Sequence, residues 1–185
     1  MFMAIETAEW TREDLERFPR DGNRYEVLDG ELLVTPQAAP DHQFVALRLT
    51  IALHNYCNEH GVGLVLGPGA VIFGKNELQP DIEVLIRGSV QRGKTWEEMP
   101  YPILAVEVLS PFAASRRRDL DDKRKAYLGL GIPEYWVVDH EKGFVHVWSG
   151  GRAVKIVSDI LRWHPNPAVA PLEVVLAELF RVDDG

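Results

Sequence analysis

Ile103-Leu104-Ala105-Val106-Glu107-Val108-Leu109-Ser110-Pro111 is the stretch on which the reading of this chain turns. Apart from Glu107 and Ser110 it is apolar, and a short apolar run stopped by Ser-Pro predicts a strand buried on both faces. Glu107 stands inside that strand. A carboxylate there is costly unless it is paired, hydrogen-bonded or bound to a metal. Glu107 therefore needs a partner from elsewhere in the chain.

Two neighbouring segments supply candidates. Alternation along a strand puts Ile103, Ala105, Glu107 and Leu109 on one face. Upstream, Gln79-Pro80-Asp81-Ile82-Glu83-Val84-Leu85-Ile86 predicts another strand, with Asp81, Glu83 and Leu85 on one face and Asp81 at the point of entry. If the two strands are neighbours, Asp81 and Glu107 converge. Downstream, residues 116–130 predict a helix. At 100° per residue Leu120, Tyr127 and Leu130 share a narrow face, with Lys123 in its middle and Asp119 on its border. A lysine on an inward face points at anions; the alternative is a surface Asp119–Lys123 pair four residues apart. Carboxylate oxygens are the hard ligands that Mg²⁺ or Mn²⁺ takes together with water and a phosphate oxygen. A lysine beside them can orient water or stabilise developing negative charge. The chemistry expected is metal-assisted hydrolysis of a phosphodiester.

The rest of the chain reads as a mixed α/β or α+β protein in one domain spanning 1–185. Residues 24–28 and 31–35 predict a hairpin about Asp29-Gly30. A helix is expected from the capping residue Asp41 to about His60, with Phe44, Leu47, Ile51, Leu53 and Tyr56 inward and Gly61 as its stop. Short strands are expected at 62–66 and 70–73, a loop at 75–78, and a polar surface segment at 88–101. Three further strands, expected to be antiparallel because tight turns join them, fall at 134–139, 144–148 and 153–157. A closing helix is expected at 172–180.

Composition narrows the function classes. The 185 residues carry a net charge of −8, which argues against broad coating of nucleic acid. It leaves room for an enzyme that meets phosphate through a cation. The basic run Arg116-Arg117-Arg118 and Lys123-Arg124-Lys125 reads by itself as a solvated helix start. The single Cys57 excludes a disulfide framework and a cysteine-rich zinc site. No apolar run reaches membrane-spanning length and no basic-then-apolar leader opens the chain, so a cytoplasmic protein is expected. Walker-type and dinucleotide-binding glycine motifs are absent. Ser110 lacks a nucleophile elbow, and the histidines lack zinc spacing. His42 reads as a capping or surface residue, able to reach the pocket from a helix start.

One family shares this order of residues. Tyr25-Glu26-Val27-Leu28-Asp29-Gly30, His42, Pro80-Asp81, Val106-Glu107-Val108-Leu109-Ser110-Pro111, Asp119, Lys123, Tyr127 and the run from Gly131-Ile132-Pro133 to Asp139 closely resemble the Uma family. These are restriction-endonuclease-like proteins of the PD-(D/E)XK nuclease superfamily. The resemblance implies a mixed β-sheet core flanked by helices, with additional antiparallel strands here. It implies Asp81 and Glu107 as Mg²⁺ or Mn²⁺ ligands and Glu26 as the upstream acidic residue. The motif lysine, two residues after the glutamate, is Leu109 in this chain, so Lys123 is expected to bring its amine to the same space. The implied partner is nucleic acid, expected to be DNA, cut by a homodimer. Two other readings stand beside this one. One is a non-catalytic binding or interaction module that keeps the fold. The other is a ligand-free salt-bridge network of Glu26, Glu107 and Lys123, in which Lys123→Met would be neutral or stabilising. Trp136, Trp148 and Trp163 predict core packing, with a dimer interface as the alternative.

Overall fold

The computed structural model describes residues 9–151 and 153–181. After a 3₁₀ turn at Arg12–Arg17 come β1 (Arg24–Leu28), β2 (Glu31–Thr35) and the long helix α1 (Pro40–His60). Four strands follow: β3 (Gly63–Leu66), β4 (Val71–Phe73), β5 (Asn76–Leu78) and β6 (Ile82–Ile86). Beyond a 3₁₀ turn at Trp96–Glu98 lies β7 (Leu104–Val108). Next come α2 (Ala113–Arg117), a π-helical stretch (Arg118–Lys123) and α3 (Arg124–Gly129). The chain continues through β8 (Glu134–Asp139), β9 (Phe144–Ser149), β10 (Lys155–Val157), β11 (Ile160–Trp163) and β12 (Leu172–Val175) to α4 (Leu176–Leu179).

The strands form a six-stranded sheet in the order β10-β9-β8-β7-β6-β3, a four-stranded sheet β2-β1-β5-β4, and the pair β11-β12. In the large sheet only β7 and β8 run parallel, joined by the helical crossover. β7 is buried along its whole length. One face of this sheet packs against α1, β11-β12 and α4 through Leu49, Leu53, Val106, Trp136 and Trp163. The other packs against α3 and the small sheet through Ala105, Leu109, Tyr127, Tyr135 and Trp148. Core packing therefore accounts for all three tryptophans, which lend no support to a dimer interface.

Several sequence expectations shift. α1 turns His42, Val45, Leu49, Leu53 and Tyr56 inward, and its N-cap is Ala39, with Asp41 in the first turn. Of the expected apolar series, Leu53 and Tyr56 are buried, whereas Phe44, Leu47 and Ile51 are 38%, 58% and 50% exposed, so its first half lies off the buried face. Residues 76–78 form a strand rather than a loop because β5 bridges β1 and β4. The helix expected at 172–180 is divided: Leu172–Val175 form β12, paired with β11, and Leu176–Leu179 form the helix α4. A two-stranded ladder packed on a core outweighs local propensity. The strands at 62–66 and 70–73 belong to different sheets.

Glu83 is buried in β6 on the face it shares with Asp81, opposite Ala105. It fits because position 69 is glycine; a Cβ there would fall 2.0 Å from Glu83 Oε1. Burial pushes its carboxyl up to about 7. A carboxyl whose folded value lies above its unfolded one favours folding below the unfolded value, and that advantage disappears as pH rises through the folded value. Between pH 4.5 and 8 the wild-type protein should lose about 2–3 kcal/mol relative to Glu83→Gln. Urea denaturation at both pH values checks this; parallel stabilities for the two proteins would show Glu83 to be solvated.

Candidate active site

The register of β6 on β7 pairs Ile82 with Val106, which places Asp81 alongside Glu107 at one end of the large sheet. β1 of the small sheet brings Arg24 and Glu26 over the same region. The helical crossover brings Asp119 and Lys123, and the first turn of α1 brings His42. Arg24, His42, Asp81, Glu107, Asp119 and Lys123 line a cavity of about 180 Å³. Its mouth is framed by residues 35–39 before α1 and by Ser110, Pro111 and Phe112 after β7.

Lys123 is the centre of charge. Its Nζ lies 2.9 Å from Glu26 Oε2, 3.0 Å from Glu107 Oε1 and 3.5 Å from Asp119 Oδ1. Tyr127 adds a hydroxyl donor to Glu107 Oε1 at 3.2 Å. Glu26 Oε1 accepts from the Gln79 backbone N–H at 2.7 Å, tying β1 to the chain that enters β6. The π-helical stretch changes the angular phase of the crossover, so Asp119 is buried with Lys123 rather than lying on the border of the apolar face. Leu109, at the position of the motif lysine, is fully buried in the core. The amine at Glu107 comes from Lys123 instead.

Asp81 sits among donors. Its Oδ2 accepts from the Val108 backbone N–H at 2.7 Å and lies 3.2 Å from His42 Nε2. Its Oδ1 is paired with Arg24 Nη2. Arg24 Nη1 also donates to the Gln79 carbonyl at 2.6 Å and lies 3.8 Å from Glu107 Oε2.

Burial and charge pull the carboxyls apart. Burial favours the neutral form of Asp81, but the His42 hydrogen bond and the Arg24 charge outweigh it and hold the carboxyl well below the usual range. Glu107 is pushed well above that range, first by burial, with Asp119, Asp81 and Glu26 adding repulsion that Lys123 only partly offsets. Burial likewise raises Asp119 to about 6, against the opposing pull of Lys123. Burial opposes the charge on Lys123, yet Glu107, Glu26 and Asp119 together raise it and keep the ammonium protonated.

Of the expected residues, Asp81, Glu107 and Lys123 line one cavity, and Glu26 reaches it only through its contact with Lys123. Arg24, His42, Asp119 and Tyr127 join them. Signals for two of these additions were present in the sequence. Arg24 shares a strand face with Glu26, and His42 leads the i, i+3, i+7 series His42-Val45-Leu49 of α1. His42 Nδ1 and Ser110 Oγ are buried without a hydrogen-bond partner, leaving polar capacity around the cavity for a water or a ligand.

No group of three or more His, Cys, Asp or Glu side chains among the described residues is arranged to hold a metal ion by itself. The carboxylates of Asp81 and Glu107 suit a cation that accepts one or two hard oxygens and leaves the rest of its shell to water and phosphate, the habit of Mg²⁺. They do not suit a closed zinc or calcium site. No helix among the described residues is long and apolar enough to cross a membrane.

Comparison with known proteins agrees with this architecture. No curated protein matches the sequence. Among solved structures, a protein of Anabaena variabilis described as "a putative nuclease belonging to DUF820" superposes with a TM-score of 0.71 at 16% identity. The match covers 92% of this chain and 97% of that one. The shared fold is the restriction-endonuclease-like mixed α/β core. The Uma2 family model, described as "Putative restriction endonuclease", matches residues 12–179. With nearly the whole described chain inside that match, the protein belongs to the Uma2 family of restriction-endonuclease-like proteins.

Proposed function

We propose that the protein is a divalent-metal-dependent endonuclease that hydrolyses phosphodiester bonds, with DNA as its substrate. The observation that carries this reading is the meeting of Asp81, Glu107 and Lys123 at one cavity lined from β1, α1, the entry to β6, β7 and the helical crossover. Asp81 and Glu107 would hold Mg²⁺ or Mn²⁺, which when bound neutralises charge on the phosphate. Lys123, kept cationic by its carboxylates, positions the attacking water or the phosphate oxygen. Glu26 fixes Lys123 at 2.9 Å and is itself fixed by the Gln79 N–H. Its role is positioning. In the reaction water adds to phosphorus, one P–O ester bond breaks, and a proton from the water ends on the leaving oxygen. The protein should cleave labelled DNA in Mg²⁺ or Mn²⁺ and stop on addition of EDTA. Cleavage that continues in EDTA would reject the reading.

A second reading, a non-catalytic module that keeps the fold, draws on Leu109, which occupies the motif lysine position and is buried in the core. Failure to bind either Mn²⁺ or Mg²⁺ would select this module.

A further inference from the structure

Arg24 occupies the position of a competing cation. Its guanidinium is paired with Asp81 Oδ1 and lies 3.8 Å from Glu107 Oε2, so one side chain spans both carboxylates assigned above to the metal. The other oxygen of Asp81 is already engaged by Val108 N–H and His42. Glu107 Oε1 is likewise held by Lys123 and Tyr127, so the oxygens of Asp81 and Glu107 with the fewest other donors are the two that Arg24 approaches. A divalent ion and a guanidinium a few ångströms apart in a poorly solvated cavity repel strongly.

The two permanent cations of the site are not equally free to yield. Lys123 is 4% exposed and faces three carboxylates within 3.5 Å. The Arg24 side chain is 20% exposed and begins at the first residue of β1. It also lines a second hollow, of about 500 Å³, together with Glu16, Glu77 and Arg20. Glu16 and Glu77, which outnumber Arg20 there, offer partners for a displaced guanidinium, and Lys123 does not line that hollow.

We propose that Arg24 is the resident cation of the metal-free site, and that Mg²⁺ or Mn²⁺ enters by displacing its guanidinium from Asp81 and Glu107 toward the second hollow. The inference rests on the metal-dependent reading above. Arg24 then sets the metal affinity by competition, while holding two buried carboxylates in place when no metal is present.

Calorimetric titration with Mn²⁺ alone tests it without reference to cleavage. Arg24→Gln removes the competing charge, and its Mn²⁺ dissociation constant should fall about tenfold or more below that of the wild-type protein. Its melting temperature without metal should drop, and saturating Mn²⁺ should raise it by more than it raises the wild type. Should Arg24→Gln fail to fold, the ¹⁵Nε–H resonance of Arg24 in the wild-type protein serves instead. That signal should be shifted and protected from exchange in the metal-free protein and move to the position of a solvated arginine as Mg²⁺ is added. Equal or weaker Mn²⁺ binding by Arg24→Gln, or an Arg24 resonance unmoved at saturating Mg²⁺, overturns the competition and leaves the metal site standing. Absence of Mn²⁺ binding to both proteins overturns the metal-dependent reading and this inference with it.

Discussion

Lys123→Met should destabilise the protein by about 3–5 kcal/mol at neutral pH, the cost of removing one partner from a buried ionic cluster. The reason is the number of groups left behind. Glu26, Glu107 and Asp119 all lie within 3.5 Å of the ammonium, and Met supplies no donor to any of them. Under the reading of Glu26, Glu107 and Lys123 as a ligand-free salt-bridge network, the site would tolerate an apolar substitution. With three carboxylates converging on one lysine, the apolar variant leaves uncompensated charge. Neutrality would require replacing the carboxylates as well. The pH dependence gives the test its sign. Lys123 has a raised folded value, so its contribution is fully present below the ordinary lysine range and disappears only at strongly alkaline pH. The variant's deficit, however, comes from charged carboxylates. Glu107 is raised and Asp119 lies at about 6, so both take up protons as pH falls and no longer need a counter-cation. Urea denaturation should show a clearly smaller deficit at pH 5 than at pH 8. A deficit independent of pH would mean that Lys123 stabilises through packing of its methylenes.

Asp81→Asn and Glu107→Gln should each reduce Mg²⁺-dependent cleavage by roughly a thousandfold or more, the scale of losing one preorganised electrostatic contact at a reacting centre. Their effects on folding should differ, and the difference separates a lost site from a lost fold. Asp81 is held below its ordinary value by His42, Arg24 and the Val108 N–H. A depressed folded value contributes stability above the unfolded value and forfeits it as pH falls through the folded one. Asp81→Asn therefore removes a stabilising group at neutral pH. Glu107 is pushed the other way by burial, so its protonated form resembles the amide of Gln, and Glu107→Gln should cost much less stability. A cleavage assay and a thermal melt on the same preparations check both statements. Cleavage of DNA by either variant at the wild-type rate would remove that residue from the site.

The sequence by itself determined the buried strand and the carboxylate within it. A run such as Leu104-Ala105-Val106-Glu107-Val108 is compatible with few environments, and the cost of an unpaired charge requires that Glu107 be answered. Strand alternation and helical periodicity, which are local properties, pointed Asp81 and Lys123 inward but left a surface Asp119–Lys123 pair open. Where local signals competed, the sequence was ambiguous. α1 carries two apolar stripes, and Phe44, Leu47 and Ile51 could not be told from Val45, Leu49 and Leu53 without knowing which side the large sheet covers. β5 and β12 are strands because ladder partners and an apolar surface await them, not because of their own propensity. Only the tertiary structure decided that the small sheet would fold over the end of the large one. That placement carries Arg24 and Glu26 to Asp81, Glu107 and Lys123 from more than fifty positions away in the chain. Long-range pairing of charges depends on how the two sheets are layered, and no periodicity within a single segment records it.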